Sequence, residues 1–354
     1  MRRIAAILLL ALGAACNAEV REVAPIRLDP IGTLGSDADS AANSTWSRVS
    51  PLHPQGYRIL VPQPGGVPAL PAVYGEDGKY LGVLGTSGDG PGEFREPLFV
   101  RFGPGDSLYV FDGAQRVLVF SPSREYARTI MLPVAPWDAA VFADGRMVVA
   151  SATHDHGLPL LVIGADGTVV QEIGGSDSAS MATVSPRRIV TAPDGTIWTM
   201  PMTGSWRVEH WDLSGKLLTA HDRAPAWYPI IDAAAVSDMP RPSVQDAWFD
   251  SAGRFWVLGK ALDEHWKKGV DRDVDSATDT TTTIDDPDKA HDTIVEVFDV
   301  ASWKILAEAR FDPSYPFAVE RGIVMRVRVE NGGRRRAELA RLVLDTTRIG
   351  ATEP

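Results

Sequence analysis

His154 and His156 stand two residues apart in the stretch ATHDHGLP, with Asp155 between them. In an extended segment that spacing turns both imidazoles to one side, the arrangement that lets two nitrogens share a transition-metal ion. A catalytic zinc needs a third protein ligand, and the chain offers neither an HExxH run nor a second cysteine. A polar exposed loop is the competing reading. Asp271, Asp273, Asp275 and Asp279 echo the spacing of an EF-hand calcium loop, but Ser276 stands where that loop needs glycine and Thr282 where it needs a bidentate glutamate. This stretch reads as a solvated insertion. Trp206 and Trp227, with Tyr228 and Trp266, fall in or beside loops, where an exposed indole stacks on the apolar face of a ligand. Trp198 and Trp256 sit mid-strand and read as core. No Gly-x-Ser-x-Gly elbow, P-loop or dinucleotide fingerprint follows the N-terminal segment, so nucleophilic and nucleotide chemistry lack support.

The elements that must position these residues are legible as punctuation. With 354 residues and 44% hydrophobic content, the chain can bury a full core. Tight turns recur between apolar, β-branched and aromatic runs: at Gln55-Gly56, Pro104-Gly105, Asp144-Gly145, Asp194-Gly195, Ala252-Gly253 and Arg321-Gly322. Each marks a β-hairpin. A second series is interleaved at Asp77-Gly78, Asp166-Gly167 and Ser214-Gly215, with degenerate copies elsewhere. Two hairpins in each repeat of about 40 to 50 residues make four strands, the unit of a propeller blade. The expected fold is all-β: a six-bladed propeller of four-stranded antiparallel blades over residues 26–350. The last repeat supplies three strands, and Ile26 to Gly35 (IRLDPIGTLG) reads as an orphan outer strand that completes the sixth blade and closes the ring. A disordered Asp/Thr-rich insertion is expected at about residues 263–292 of the fifth blade.

One stretch carries more than spacing. GTSGDGPGEFREPLFVRFGPGDSLYVFDGAQRVLVFS resembles an NHL-repeat blade, in which a Gly/Pro-rich loop links the outer strand of one blade to the inner strand of the next. The resemblance covers roughly residues 82 to 121 as motif and the whole chain as architecture. It implies that the chain crosses from rim to axis at this loop, with Phe94 plugging the space between blades. By analogy with known propellers, the loops between blades share a face with those joining the second and third strands. That face would carry Thr86–Glu96, His154–Gly157, Pro201–Trp206, the segment after Lys260 and Asn331–Arg335.

Charged residues at the starts of inner strands would then line the central channel: Glu96, Asp138, Arg187, Arg188 and Asp246. Related propeller hydrolases hold a metal there through acidic and amide side chains. Two arginines among these five would repel a divalent cation, a mixture that suits a charged organic ligand better.

At the N-terminus, Arg2 and Arg3 precede IAAILLLALGAA, an apolar run too short to span a bilayer that matches a secretory signal. The following LGAAC resembles the bacterial lipoprotein signal, with Gly13 where a branched aliphatic residue is usual. The resemblance implies cleavage after residue 15, lipidation of Cys16 and a tether over residues 16–25. The protein is therefore expected to be exported and held in the bacterial cell envelope by a lipid bilayer, facing periplasm or exterior. A formal charge of −11 excludes nucleic acid as a main partner. The function expected from these readings is a non-catalytic platform for an envelope protein, peptide or glycan, without a cofactor. The alternative is a metal-dependent hydrolase or lyase working in the axial channel.

Overall fold

The computed structural model describes residues 25–35, 46–62, 70–151, 160–174, 186–228, 240–266, 290–329 and 335–349. Within them the chain forms six four-stranded antiparallel sheets arranged as the blades of a propeller, with almost no helix. After β1 (Ile26–Leu34), blade 1 comprises β2 (Trp46–Val49), β3 (Tyr57–Pro62), β4 (Ala72–Gly75) and β5 (Tyr80–Val83). Two short parallel segments, β6 (Thr86–Ser87) and β7 (Glu93–Phe94), lead into blade 2. Blade 2 holds β8 (Pro97–Phe102), β9 (Leu108–Asp112), β10 (Arg116–Phe120) and β11 (Tyr126–Met131). Blade 3 holds β12 (Pro136–Val141), β13 (Met147–Ser151), β14 (Leu160–Ile163) and β15 (Val169–Ile173). Blade 4 holds β16 (Arg187–Thr191), β17 (Ile197–Pro201), β18 (Trp206–Trp211) and β19 (Leu217–Arg223). Blade 5 holds β20 (Ser243–Phe249), β21 (Phe255–Leu262), β22 (His291–Asp299) and β23 (Lys304–Phe311). Blade 6 holds β24 (Phe317–Glu320), β25 (Ile323–Val329) and β26 (Arg335–Leu344), and its fourth strand is β1.

The closure expected from the orphan strand is therefore present. β1 pairs antiparallel with β26, from Ile26 opposite Leu344 to Leu34 opposite Ala337. Gly35 N donates to Gly78 O at 3.3 Å, fastening the end of that strand to the outer turn of blade 1. An open edge at each end of the ring is thereby removed.

The two-residue period of the strands explains where the core lies. In β9, Leu108 and Val110 pack toward blade 1 while Tyr109 and Phe111 pack toward blade 3. In β13, Met147 and Val149 face blade 2 and Val148 and Ala150 face blade 4. Middle strands are thus buried on both faces and read as continuous apolar runs. Outer strands alternate or face solvent, as β5 and β11 do. The core is consequently distributed over the interfaces between successive blades. Trp198 and Trp256, each 4% exposed, belong to it.

The glycine-rich loop before β8 is held by two buried residues of blade 2. Asp112 accepts from Arg95 N at 2.9 Å and Glu96 N at 3.2 Å, and Arg116 donates to Gly88 O at 3.1 Å and Glu93 O at 3.0 Å. Phe94 is 1% exposed and packs among side chains of blades 1 and 2, where it stacks on Phe120. Gly85 (φ +64) sits so close to Gly92 O and the Phe94 ring that a side chain would not fit.

Candidate functional site

Bulges in the innermost strands decide which residues meet at the axis. The pairing register shifts between Trp46 and Arg48, Pro97 and Phe99, Pro136 and Asp138, and Val244 and Asp246. A bulge re-aims the side chain that follows it. In blades 2, 3 and 5 that residue lies opposite the fourth residue of the second strand: Phe99 opposite Phe111, Asp138 opposite Ala150, Asp246 opposite Leu258. β16 is unbulged, and Arg188 reaches the equivalent position opposite Met200. Phe99, Asp138, Arg188 and Asp246 therefore stand at one level of the ring.

Asp138, 1% exposed, is the centre of the group. Its Oδ1 accepts from Arg101 Nη2 at 2.5 Å and from Ala139 N at 2.9 Å, and its Oδ2 accepts from Ile189 N at 3.2 Å. Arg48 Nη1 lies 3.6 Å from Oδ1, and Arg188 Nη1 lies 3.8 Å from Oδ2. Arg48 and Arg101 both stack their guanidinium groups on Phe99, at 4.8 and 5.0 Å from the ring centroid. Burial alone would raise the Asp138 carboxyl, but Arg101, Arg188 and Arg48 together hold it below the usual carboxylate range. Asp246 has no such excess of partners, and burial pushes it up. Burial and the neighbouring Arg188 pull Arg48 down to about 9. The Arg188 Nε is buried without a hydrogen-bond partner among the described residues.

This group borders a cavity of about 760 Å³ lined by residues of all six innermost strands, including Arg48, Phe99, Trp137, Arg188, Asp246 and Phe317. The acids lining it are Asp246 and Glu320, and Glu320 is bound by Arg58 at 2.7 Å.

The other candidates from the sequence do not join this group. Glu96 is exposed, with its carboxylate beside Gly113. Arg187 turns to Glu209 at 2.6 Å, which Arg207 also binds at 2.7 Å. Trp206, 1% exposed, is core between blades 4 and 5, beneath Arg223 at 4.8 Å. Trp227, 8% exposed, lies over Gly259 and donates its Nε1 to Glu296 Oε1 at 3.1 Å. Cys16, His154, His156 and the aspartates 271, 273, 275 and 279 lie outside the described residues. The ends of the expected insertion are paired, Asp263 N donating to Ala290 O at 3.1 Å. Near them Asp263, Asp292 and Asp312 bring carboxylate oxygens within 4.8 Å of one another. Arg310 already binds Asp292 at 2.5 Å and Glu264 at 3.3 Å there, so that cluster carries its own counter-charge.

Sequence reasoning passed over Arg48 and Arg101. Arg101 is a lone charge inside the apolar run LFVRF, a signal that could have marked it; Arg48, between serine and valine in WSRV, carries no comparable signal.

No family model matches the chain, and no curated protein does. Solved structures do. A "putative exported protein" from Bacteroides fragilis superposes with a TM-score of 0.58 at 9% identity, over 91% of this chain and 96% of that one. The WD40 domain of Pan2 from Neurospora crassa gives a TM-score of 0.49 at 12% identity, over 89% and 95% of the two chains. At such identities the likeness to the first concerns the fold alone.

Proposed function

We propose that this protein is a non-catalytic binding platform of the bacterial cell envelope, tethered to the membrane through a lipidated Cys16 and built as an NHL-like propeller that holds a protein, peptide or glycan. The observation that carries the reading is the charge balance at the axis. Asp138, the most buried carboxylate there, is surrounded by three guanidinium groups. A divalent ion approaching Asp138 or Asp246 would meet that excess of positive charge, which argues against the metal-dependent hydrolase alternative. The apolar N-terminal run after Arg2 and Arg3 and the LGAAC motif support the envelope location, and a fold shared with a "putative exported protein" of Bacteroides fragilis agrees with it.

Two measurements test the reading. Full-length protein isolated from membranes should contain no stoichiometric divalent metal, and chelator should leave its melting temperature unchanged; a bound ion whose removal destabilises the fold would overturn the platform reading. Cys16→Ser should move the protein from the membrane to the soluble fraction. Retention on the membrane would remove the tether.

A further inference from the structure

We propose that the axial channel is a site for a small organic oxyanion, whose carboxylate or phosphate head is taken by Arg48, Arg101 and Arg188 while the half-buried Trp137 and Phe317 hold its apolar body. The proposal rests on the non-catalytic reading of the channel and adds the chemistry of its ligand.

Charge arithmetic is the first support. The side chains lining the cavity include Arg48, Arg101, Arg188 and Arg321 against Asp246 and Glu320. Glu320 is already satisfied by Arg58 at 2.7 Å and by Leu52 N at 3.2 Å. Asp138 sits beneath the arginines and can balance one of the three that touch it. The channel thus carries surplus positive charge inside a chain whose formal charge is −11. A cationic cleft with low-dielectric walls concentrates anions from solution, whatever the sign of the outer surface.

Geometry is the second support. Guanidinium groups are rigid forks that bind carboxylate or phosphate through paired hydrogen bonds. Arg48 and Arg101 are locked in place: Arg48 Nη2 donates to Trp137 O at 3.1 Å, Arg101 Nε to Ala139 O at 2.8 Å, and Phe99 lies under both. Arg188 is 9% exposed and keeps an Nε donor with no partner among the described residues. Its Nη1 stands 3.8 Å from Asp138 Oδ2, beyond hydrogen-bond distance, and the residue lines the cavity, so that carboxylate does not use up the guanidinium.

Size and lining give the third. About 760 Å³ falls within the range of small-molecule pockets. Phe102, Trp137, Phe249 and Phe317 line it beside the arginines, among aliphatic residues such as Ile189 and Val319, so the cavity joins cationic groups to an apolar and aromatic wall. That combination fits an anion attached to an apolar or aromatic body better than a free inorganic ion.

The test is calorimetric titration of the full-length protein, in detergent at fixed ionic strength, with 3-phenylpropionate, phenyl phosphate and the neutral 3-phenylpropan-1-ol. One or both anions should bind at least about tenfold more tightly than the alcohol. The anion that binds better tells carboxylate from phosphate. Arg188→Gln should weaken the anion by about tenfold or more, with Arg48→Gln used if that variant does not fold. Asp138→Asn, which removes the internal competitor while keeping an acceptor for Ala139 N, should strengthen it. A gain of affinity cannot come from a damaged fold. Equal binding of alcohol and anions, or unchanged anion affinity in both arginine variants, would overturn the oxyanion site. Neither result bears on the platform reading, which the metal content decides.

Discussion

Two buried carboxylates, Asp138 at the axis and Glu296 between blades 4 and 5, are 1% and 0% exposed, and both are met by arginine. Their surroundings differ in number and access. Glu296 has one guanidinium, Arg223 at 3.0 Å, and one indole N–H, Trp227 at 3.1 Å, while its Oε2 has no partner among the described residues. Burial wins there and pushes the carboxyl up. Arg223 lies over Trp206 and Phe298, so aromatic rings cover the pair. Asp138 has three guanidinium groups, which overcome the same burial and hold it down, and the group borders a cavity. A carboxylate matched one to one and covered serves the packing. One outnumbered by cations beside an open channel leaves charge for a ligand.

The largest effect that could break this contrast is loss of the central carboxylate. Asp138→Ala leaves three guanidinium groups facing each other and should cost about 3–5 kcal/mol, read as a lower urea midpoint with unchanged slope. Glu296→Gln keeps the volume and an acceptor, and should cost about 1–3 kcal/mol. If the two losses prove equal, the axial cluster is an ordinary buried ion pair.

A smaller difference separates the two regions by pH. His291, on β22 of blade 5, is lowered to about 4, first by burial and then by nearby Lys260. The folded protein holds it neutral while the unfolded chain protonates it near pH 6.5. Its contribution is therefore complete above that pH and is lost as pH falls toward 4, by up to about 3 kcal/mol. Asp138, lowered rather than raised, loses its contribution only as pH drops below the ordinary aspartate value of 3.8. The raised carboxyls of Glu296 and Asp246 act in the opposite sense over this range, so the His291 contribution is read by difference: relative to the unsubstituted protein, His291→Gln should lose less, or gain more, denaturant midpoint between pH 7 and 4. A slope unchanged by the substitution would assign the acid sensitivity elsewhere.

What could be read from residue order follows from how local the cause is. Asp-Gly and related turns fix hairpins within a few residues, so strand count, ring closure and the glycine-rich strap were legible. Asp138, Arg188 and Asp246 were legible as charges near strand starts. Arg48 and Arg101 were not, because their convergence depends on bulges and on the neighbouring blade. Arg101 reaches Asp138 across 37 positions of sequence and Arg48 across 90, and strand periodicity carries no information about such approaches. Trp206 and Trp227 were misleading for the opposite reason. They flank connections in the sequence, yet the space between blades takes large side chains wherever the chain can supply them.

The covered region can be probed at Gly259. A side chain added there would place Cβ 2.5 Å from the Trp227 ring. Gly259→Ala must displace that indole and with it the bond to Glu296, at a cost of about 1–3 kcal/mol and a changed near-ultraviolet dichroism. Anion affinity at the axis should not move. A loss at both sites would show that blades 4 and 5 transmit strain to the channel.

Glu96 gives the smallest expected effect and the sharpest contrast between sequence position and spatial position. It directly precedes β8, as Asp138 opens β12 two residues in, so both look like channel residues on the same rule. The difference is the position relative to a shared bulge: Glu96 stands one residue before Pro97, outside the strand, whereas Asp138 stands two after Pro136, just past the shift. In β12 the register shift between Pro136 and Asp138 brings the carboxylate inward, whereas the matching shift in β8 falls after Pro97 and brings Phe99 inward instead. Glu96 is left exposed beside Gly113. Glu96→Ala should therefore change stability by no more than about 0.5 kcal/mol and leave anion binding untouched. Phe99→Ala, at the position Glu96 does not occupy, removes the ring beneath Arg48 and Arg101 and should weaken the anion. If Glu96→Ala altered the affinity and Phe99→Ala did not, nearness to the strand start, and not the bulge, would be what selects the residues of the axis.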